Sequence, residues 1–321
     1  MSKKSPLPDY IIILGTTESG ASAVYQYLAG RTDITDPFKN DNYQLPHIPN
    51  GLMSLEAASE SAFHNASADF ALVQFESVLN KLSRSRTLWH SGKDYSKKIK
   101  FFENATKNFI KEITVANYPM HLEWHRIMRS SPQHIISLIK NFFGLREANI
   151  SPPETRILAS KEKIIKAAQK MHNKIFKSEK VNRPVVLDQA GSGWNPIEST
   201  KYFYNRKIIL VTRDPRDQFV FIKKAKKGDS VDGFIDWYLE MVKRIKNVEN
   251  NLLLKIKFEE FVTKHKEILD LICDHLLIDR TISSTYDPNL SFKNIGLYKK
   301  FLKKNEIDKI EKKLSGYIYL E

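Results

Sequence analysis

The first apolar stretch of the chain is unbroken: Tyr10-Ile11-Ile12-Ile13-Leu14. A continuous β-branched run predicts a strand covered on both faces. Small residues follow in Gly15-Thr16-Thr17-Glu18-Ser19-Gly20-Ala21-Ser22, and then a helical stretch from Ser22 to Leu28. Positions 33–51 are rich in Pro, Asn and Asp and read as irregular. Between positions 54 and 146 the spacing is mostly helical. Leu72, Phe75, Val78 and Leu79 recur on one stripe, as do Ile135, Ile136, Ile139, Phe142 and Phe143. Pro152-Pro153 interrupts this pattern, and a helix is expected over 161–176. Strand-like runs return at 184–188, 207–212 and 252–257, with helices expected over 217–225, 231–247 and 258–277. Positions 293–313 interleave lysines with Ile, Leu and Phe, the pattern of an amphipathic helix.

Strand, helix and strand in alternation imply an α/β fold with a parallel sheet flanked by helices. The helical block between the first strand and the next reads as an insertion or cap, residues 52–180, within a single domain of 1–321. A chain of 321 residues can bury a large core, and a hydrophobic fraction of 41% argues against wholesale disorder.

Charge narrows the partners. Lys+Arg number 51 against Asp+Glu 37, a formal net charge of +14 that favours an anionic partner. Nucleic acid is one such partner, but no interleaved aromatic or finger motif accompanies the charge, so it ranks last. The single cysteine, Cys273, rules out an intramolecular disulfide and a Cys-based zinc site. It follows Ile268-Leu269-Asp270-Leu271-Ile272 and reads as a packed, inert thiol. The apolar run at 10–14 is too short for a signal or membrane helix, so no membrane span and a cytoplasmic location are expected.

Two segments carry candidate chemistry. A small-residue loop between a parallel strand and a helix can aim several backbone N–H groups at one anion. Gly15, Gly20 and Ser22 have Walker A spacing, but Ala21 stands where that motif needs lysine, which weakens a nucleoside-triphosphatase reading. The bland alternative is a tight turn with Ser19 or Ser22 capping the helix. The second segment, Arg213-Asp214-Pro215-Arg216-Asp217, follows a buried strand and puts an arginine fork at the sheet edge where ligands bind. Pro215 suits the first position of a helix, and Asp214 or Asp217 suits a cap or an arginine anchor.

Together these segments resemble the sulfotransferase family, whose P-loop-like α/β fold binds 3′-phosphoadenosine 5′-phosphosulfate. Thr17-Glu18-Ser19-Gly20-Ala21-Ser22 is similar to the loop that holds the 5′-phosphosulfate, and Arg213 to Asp217 is similar to the segment that serves the 3′-phosphate. The strand at 252–257 with Phe258-Glu259-Glu260-Phe261-Val262 looks like a third family element, and Ser291-Phe292-Lys293-Asn294-Ile295-Gly296 like its late phosphate loop. The resemblance covers 10–30 and roughly 184–315, leaving the helical block aside. It implies that Thr17, Ser19, Gly20, Ala21, Ser22, Arg213, Ser291, Lys293, Asn294 and Gly296 bind the nucleotide, with no metal required. The partners it implies are that nucleotide and a polar acceptor, a glycan among the possibilities.

Two positions depart from the family pattern. Glu18 replaces a basic residue, with Lys293 as a candidate compensating cation, and Phe221 replaces a serine. A cofactor-binding relative without catalysis therefore stands as an alternative. For the base that takes the acceptor's proton, Asp188 at a strand end and His47 in the irregular segment are the candidates. Other features read as follows. His121 and His125 share a helix face, but Glu123 is one place late for a metallopeptidase, so a helix surface with Trp124 inward fits better. Trp194, in a glycine-rich loop, suits either stacking on a ligand or plugging the core edge. Lys223, Lys224, Lys226 and Lys227 read as a solvated helix end.

Overall fold

The computed structural model describes residues 7–39, 41–61, 64–88, 91–120, 122–127, 135–136, 138–139, 142–143, 154–177 and 183–320. The chain forms two compact units, Met1–Pro46 with Phe176–Glu321, and His47–Ile175. The strands are β1 (Tyr10–Gly15), β2 (Thr114–Pro119), β3 (Glu154–Leu158), β4 (Val185–Asp188), β5 (Arg206–Thr212) and β6 (Leu253–Lys257).

In the first unit β4, β1, β5 and β6 lie side by side in that order, all parallel. This is the α/β class that the strand-helix alternation implies. Tyr10 to Leu14 are fully buried, as an unbroken apolar run demands. Ile11 and Ile13 pack with Val186, Ile209 and Val211 beneath the helices Ala21–Ala29, Phe258–Thr263 and His265–Leu276. On Tyr10 the rings of Phe203 and Phe176 lie at 5.2 and 6.4 Å between centroids. Each such buried side chain contributes roughly 1.5–3 kcal/mol. Cys273 is buried in the same cluster as Ile11.

The chain crosses from one side of β1 to the other between β4 and β5. Such a reversal leaves a crevice beyond the carboxyl ends of the flanking strands, where open α/β sheets bind ligands. Both candidate segments leave the sheet at that end: the loop after Gly15 and the arginine after Thr212. The helix Pro215–Lys224 begins as its sequence implies, with Pro215 in the first turn and Asp214 accepting from the Arg216 amide at 2.8 Å.

Several expectations need correction. The stretch 258–277 is not one helix; it breaks at Lys264, whose backbone leaves helical geometry, and closes at Leu277 with φ 60°. The stretch 293–313 holds two helices, Tyr298–Phe301 and Lys304–Leu314, and at their junction Glu306 accepts from the Lys303 amide at 2.8 Å. The irregular segment runs along the outer edge of β4, with bridges Thr35 to Val185 and Asn42 to Asp188.

The second unit, His47–Ile175, is largely helical. Its helices include Leu52–Ser59, His64–Ser83, Phe102–Ile113 and Lys161–Phe176. Leu72, Phe75, Val78 and Leu79 are buried, and the Phe75 ring meets Phe109 at 5.7 Å. A reading of this block as helical misses β2 and β3, which pair antiparallel. Ile135, Ile136, Ile139, Phe142 and Phe143 are exposed despite their helical spacing. Among the described residues no helix is long and apolar enough to cross a membrane.

Candidate functional site

The loop after β1 is shaped by residues that fix its backbone. Gly15 and Gly20 are both required. A Cβ at Gly15 would lie 2.3 Å from Ser19 Oγ, and one at Gly20 would lie 2.4 Å from the Phe258 ring. Gly20 also holds φ 83°, which an L side chain resists. Glu18 takes a left-handed turn too, at φ 62°. Gln218, fully buried, donates through Nε2 to the carbonyls of Thr16 at 2.7 Å and Thr17 at 2.6 Å. Ser19 Oγ accepts from the Thr16 amide at 3.1 Å and so braces the loop internally.

Neither Ser19 nor Ser22 caps the following helix. Ala21–Ala29 starts with no side-chain cap, and Ser22 faces solvent. Ala23 N–H donates to the Gly20 carbonyl at 3.1 Å, but a helix start leaves its other first-turn N–H groups without an intrahelical acceptor, so this end suits an anion.

Arg213 ties this loop to a segment some eighty residues further on. Its guanidinium donates through Nη1 to the Glu18 carbonyl at 3.3 Å and through Nη2 to the Asn294 carbonyl at 2.5 Å. The group lies between the rings of Phe221 and Phe258, 4.2 and 4.7 Å from their centroids. It is 4% exposed, and its Nε–H has no acceptor. Burial pushes its pKa down, while Asp217, Glu259, Asp214 and Glu18 favour the charge. Phe221, in place of a hydroxyl, thus acts as a stacking plate.

The late segment is held from below by Asp217. Its carboxylate accepts from the amides of Gly296 at 2.7 Å and Tyr298 at 2.9 Å. Gly296 takes φ 74° to present that amide. Ser291 Oγ accepts from the Tyr286 hydroxyl at 2.8 Å and lines a cleft of ≈ 410 Å³ with Tyr286, Asp36 and Gln26. Lys293 is exposed. Thr17, Ser19, Gly20, Arg213 and Asn294 therefore meet at one place, with Gly296 beside them through Asp217.

The cation that faces Glu18 is Lys227, not Lys293. Its Nζ lies 2.6 Å from Glu18 Oε1. Lys224, Lys226 and Lys227 are exposed, as a solvated helix end should be, and Lys223 is half-buried. Lys223 pairs with Glu306 at 2.7 Å, and Lys224 lies 3.5 Å from the centre of the Phe301 ring. Asp214 does anchor an arginine, holding Arg216 at 2.7 Å.

Two further buried carboxyls lie near the sheet end. Asp188 ends β4 opposite Ile13 of β1, and the next residue, Gln189, accepts from the Gly15 amide at 3.3 Å. Burial, helped by the charge of Asp36, raises its pKa from 3.8 to about 7, and its Oδ1 is shielded without a partner. Glu259 is raised to about 7 by burial as well, and its Oε1 accepts from the Asp214 amide at 3.0 Å. His47 opens the second unit. Burial lowers its pKa, so the imidazole is neutral, and Nδ1 has no partner.

In the second unit His125 is fully engaged. It accepts from the Leu122 amide at Nδ1 (3.0 Å) and donates from Nε2 to buried Asp69 (2.9 Å). Neither ring nitrogen is left for a metal; His121 lies outside the described residues. Trp124 is half-buried against Phe70. Back in the first unit, Trp194 packs edge-on to Trp237 at 5.7 Å.

Sequence reasoning missed Gln218, which lies in ordinary helical sequence, and the parts that Asp217, Phe258 and Lys227 play. Asp217 had a signal in the charged segment, Phe258 in the third family element and Lys227 only in a lysine run.

No known family model matches this sequence, and no curated protein matches it. Among solved structures, the chain is similar to a sulfotransferase domain from the curacin biosynthetic pathway. Identity is 15% and the TM-score 0.41, over 99% of this chain and 100% of that one. It is similar also to a sulfotransferase domain from the Synechococcus PCC 7002 olefin synthase, at 11% identity and TM-score 0.46, over 100% and 98%. A mouse sulfotransferase, SULT7A1 complexed with PAP, matches at 14% identity and TM-score 0.31, over 50% of this chain and 71% of that one.

Proposed function

We propose that the chain is a sulfotransferase that takes the sulfuryl group of 3′-phosphoadenosine 5′-phosphosulfate to a hydroxyl of a polar acceptor, with a carbohydrate as the class to try first. One observation carries this reading: the Arg213 fork reaches both the Glu18 and the Asn294 carbonyls, so three segments far apart in sequence share one site. The residues fit a doubly anionic nucleotide. An uncapped helix start offers N–H groups at one end. A buried arginine with an unpaired Nε–H lies at the other. Leaving such a donor unmet costs about 1–3 kcal/mol, and an anion would supply the missing acceptor.

The contacts support two roles: the loop amides from Ser19 to Ser22 receive the 5′ group, and Arg213 the second phosphate. Ser291 and Lys293 are assigned to that phosphate by the sequence resemblance alone. The Gly296 amide is already taken by Asp217, so that glycine shapes the loop. In the transfer the acceptor oxygen bonds to sulfur, and the bond from sulfur to the phosphate oxygen breaks. That oxygen keeps the electron pair, and the acceptor's proton passes to a carboxylate. Asp188 suits the last role, because a base with a pKa of about 7 is partly ionised at neutral pH and still binds a proton well. The chemistry needs positioning and hydrogen-bond donors, and no metal.

A second reading, nucleotide binding without transfer, is favoured by Glu18 in the anion loop. The two are separated by thermal melts and radiolabelled sulfate transfer to a polysaccharide panel. Under our reading adenosine 3′,5′-bisphosphate raises Tm where ATP and adenosine 5′-phosphate do not, and label reaches an acceptor. Stabilisation without transfer to any acceptor or to water would favour the second reading, and no stabilisation would sink both.

A further inference from the structure

Resting on that reading, we infer that Lys227 is a catalytic residue, supplying from outside the loop the cation that the loop itself lacks. Between Gly15 and Ser22 the only charged side chain is Glu18, and it is acidic. Breaking the bond between sulfur and the phosphate oxygen piles negative charge on the group that leaves. A site built for that step needs positive charge beside the loop amides. Arg213 also reaches the loop, but it is buried between two rings, with Nη1 committed to the Glu18 carbonyl and Nη2 to the Asn294 carbonyl. Lys227 is the lysine that crosses to the loop, with Nζ 2.6 Å from Glu18 Oε1 and half of the side chain open to solvent.

Its position is built, not incidental. The helix Pro215–Lys224 ends with two reverse hydrogen bonds, Lys226 N–H to Lys223 O and Lys227 N–H to Ile222 O, both 3.0 Å. Between them Lys226 takes φ 55°. This is the closure that helices usually make with glycine, and it turns the residue after the left-handed one back along the helix. A lysine holding that conformation aims Lys227 at the loop. Lys227 and Thr17 also share the wall of a cleft of ≈ 470 Å³ floored by Phe219, Phe234 and Trp237. The ammonium therefore lies at the Glu18 side chain of the loop, on a residue that lines a cleft an acceptor can enter. Glu18 holds the cation there in the free protein and yields it as charge develops on the leaving oxygen.

The test uses the full chain, adenosine 3′,5′-bisphosphate for binding, and radiolabelled sulfate release from the nucleotide donor with water as acceptor. Lys227→Ala should bind the bisphosphate within a few-fold of wild type yet lose about 10²-fold in release rate, the scale of one removed transition-state donor. Lys227→Arg should keep most of the rate. The exchanged pair Glu18→Lys with Lys227→Glu should recover at least about tenfold over Lys227→Ala, since the charge returns to the same place. Release at the wild-type rate from Lys227→Ala would overturn the inference. So would a rate loss matched by an equal loss of bisphosphate affinity, which would make Lys227 a binding residue only. If the wild type neither binds the bisphosphate nor releases sulfate, the sulfotransferase reading fails first and the role of Lys227 with it.

Discussion

Asp188 shows how much one residue's surroundings decide. In water its carboxyl would ionise near 3.8; at the buried end of β4 that value rises to about 7. The sign for stability follows from linkage. Between those values the folded chain holds a proton that the unfolded chain has lost, so stability falls as pH rises. The contribution is complete below 3.8 and gone above about 7, and the gap corresponds to ~4 kcal/mol. Glu259, raised to about 7 by burial, adds to the same slope. Melting curves from pH 4 to 8 should therefore show wild-type Tm falling with pH, more shallowly in Asp188→Asn. At pH 8 that variant should be at least as stable as wild type, because its neutral amide carries no buried charge. A variant that is less stable than wild type at every pH would show that the carboxylate is a structural anchor. The sequence put Asp188 at a strand end, but only burial and the neighbouring Asp36 give it this pKa. His47 was equally legible, and its fate, a shielded neutral imidazole, was equally hidden.

At the scale of elements, the site depends on how one helix start grips distant backbone. Asp217 lies in the first turn of Pro215–Lys224 and accepts two amides of the late segment. Asp217→Asn keeps the size but replaces one acceptor with a donor, which would face an amide donor. The expected cost is about 1.5–3 kcal/mol of stability, with faster hydrogen exchange at the Gly296 and Tyr298 amides. Unchanged exchange at both would disprove the anchoring role. Strands β1, β4, β5 and β6 were readable because an unbroken apolar run has few other uses. Strands β2 and β3 were not. Thr114–Pro119 is short and largely exposed, and it pairs with a partner about forty residues away. The break at Lys264 was equally silent, since Phe258–Thr263 and His265–Leu276 are both good helical sequence.

For the whole molecule, charge and topology act together. A formal charge of +14 draws in anions from a distance, whereas Arg213 acts only on contact. These effects separate with salt, because the Debye length shrinks from ~10 Å at 0.1 M to ~3 Å at 1 M. Stopped-flow binding of adenosine 3′,5′-bisphosphate should therefore show the association rate dropping several-fold over that range, with the dissociation rate nearly constant. A dissociation rate that climbs as steeply would mean that surface lysines, not the buried fork, hold the ligand.

The order of residues alone was enough to specify the parallel sheet, the two glycines of the first loop and the arginine after β5. These are local properties: apolar runs, backbone freedom and a charged residue at a strand end. Tertiary structure decided what those residues meet. It stacked Phe221 on Arg213, braced the loop with Gln218, gave Glu18 the partner Lys227 and fixed Gly296 on Asp217. Each contact joins residues that are far apart in the chain or related only through a helix turn. A linear pattern carries no record of such distances, because they arise only when the sheet packs and its strand ends converge.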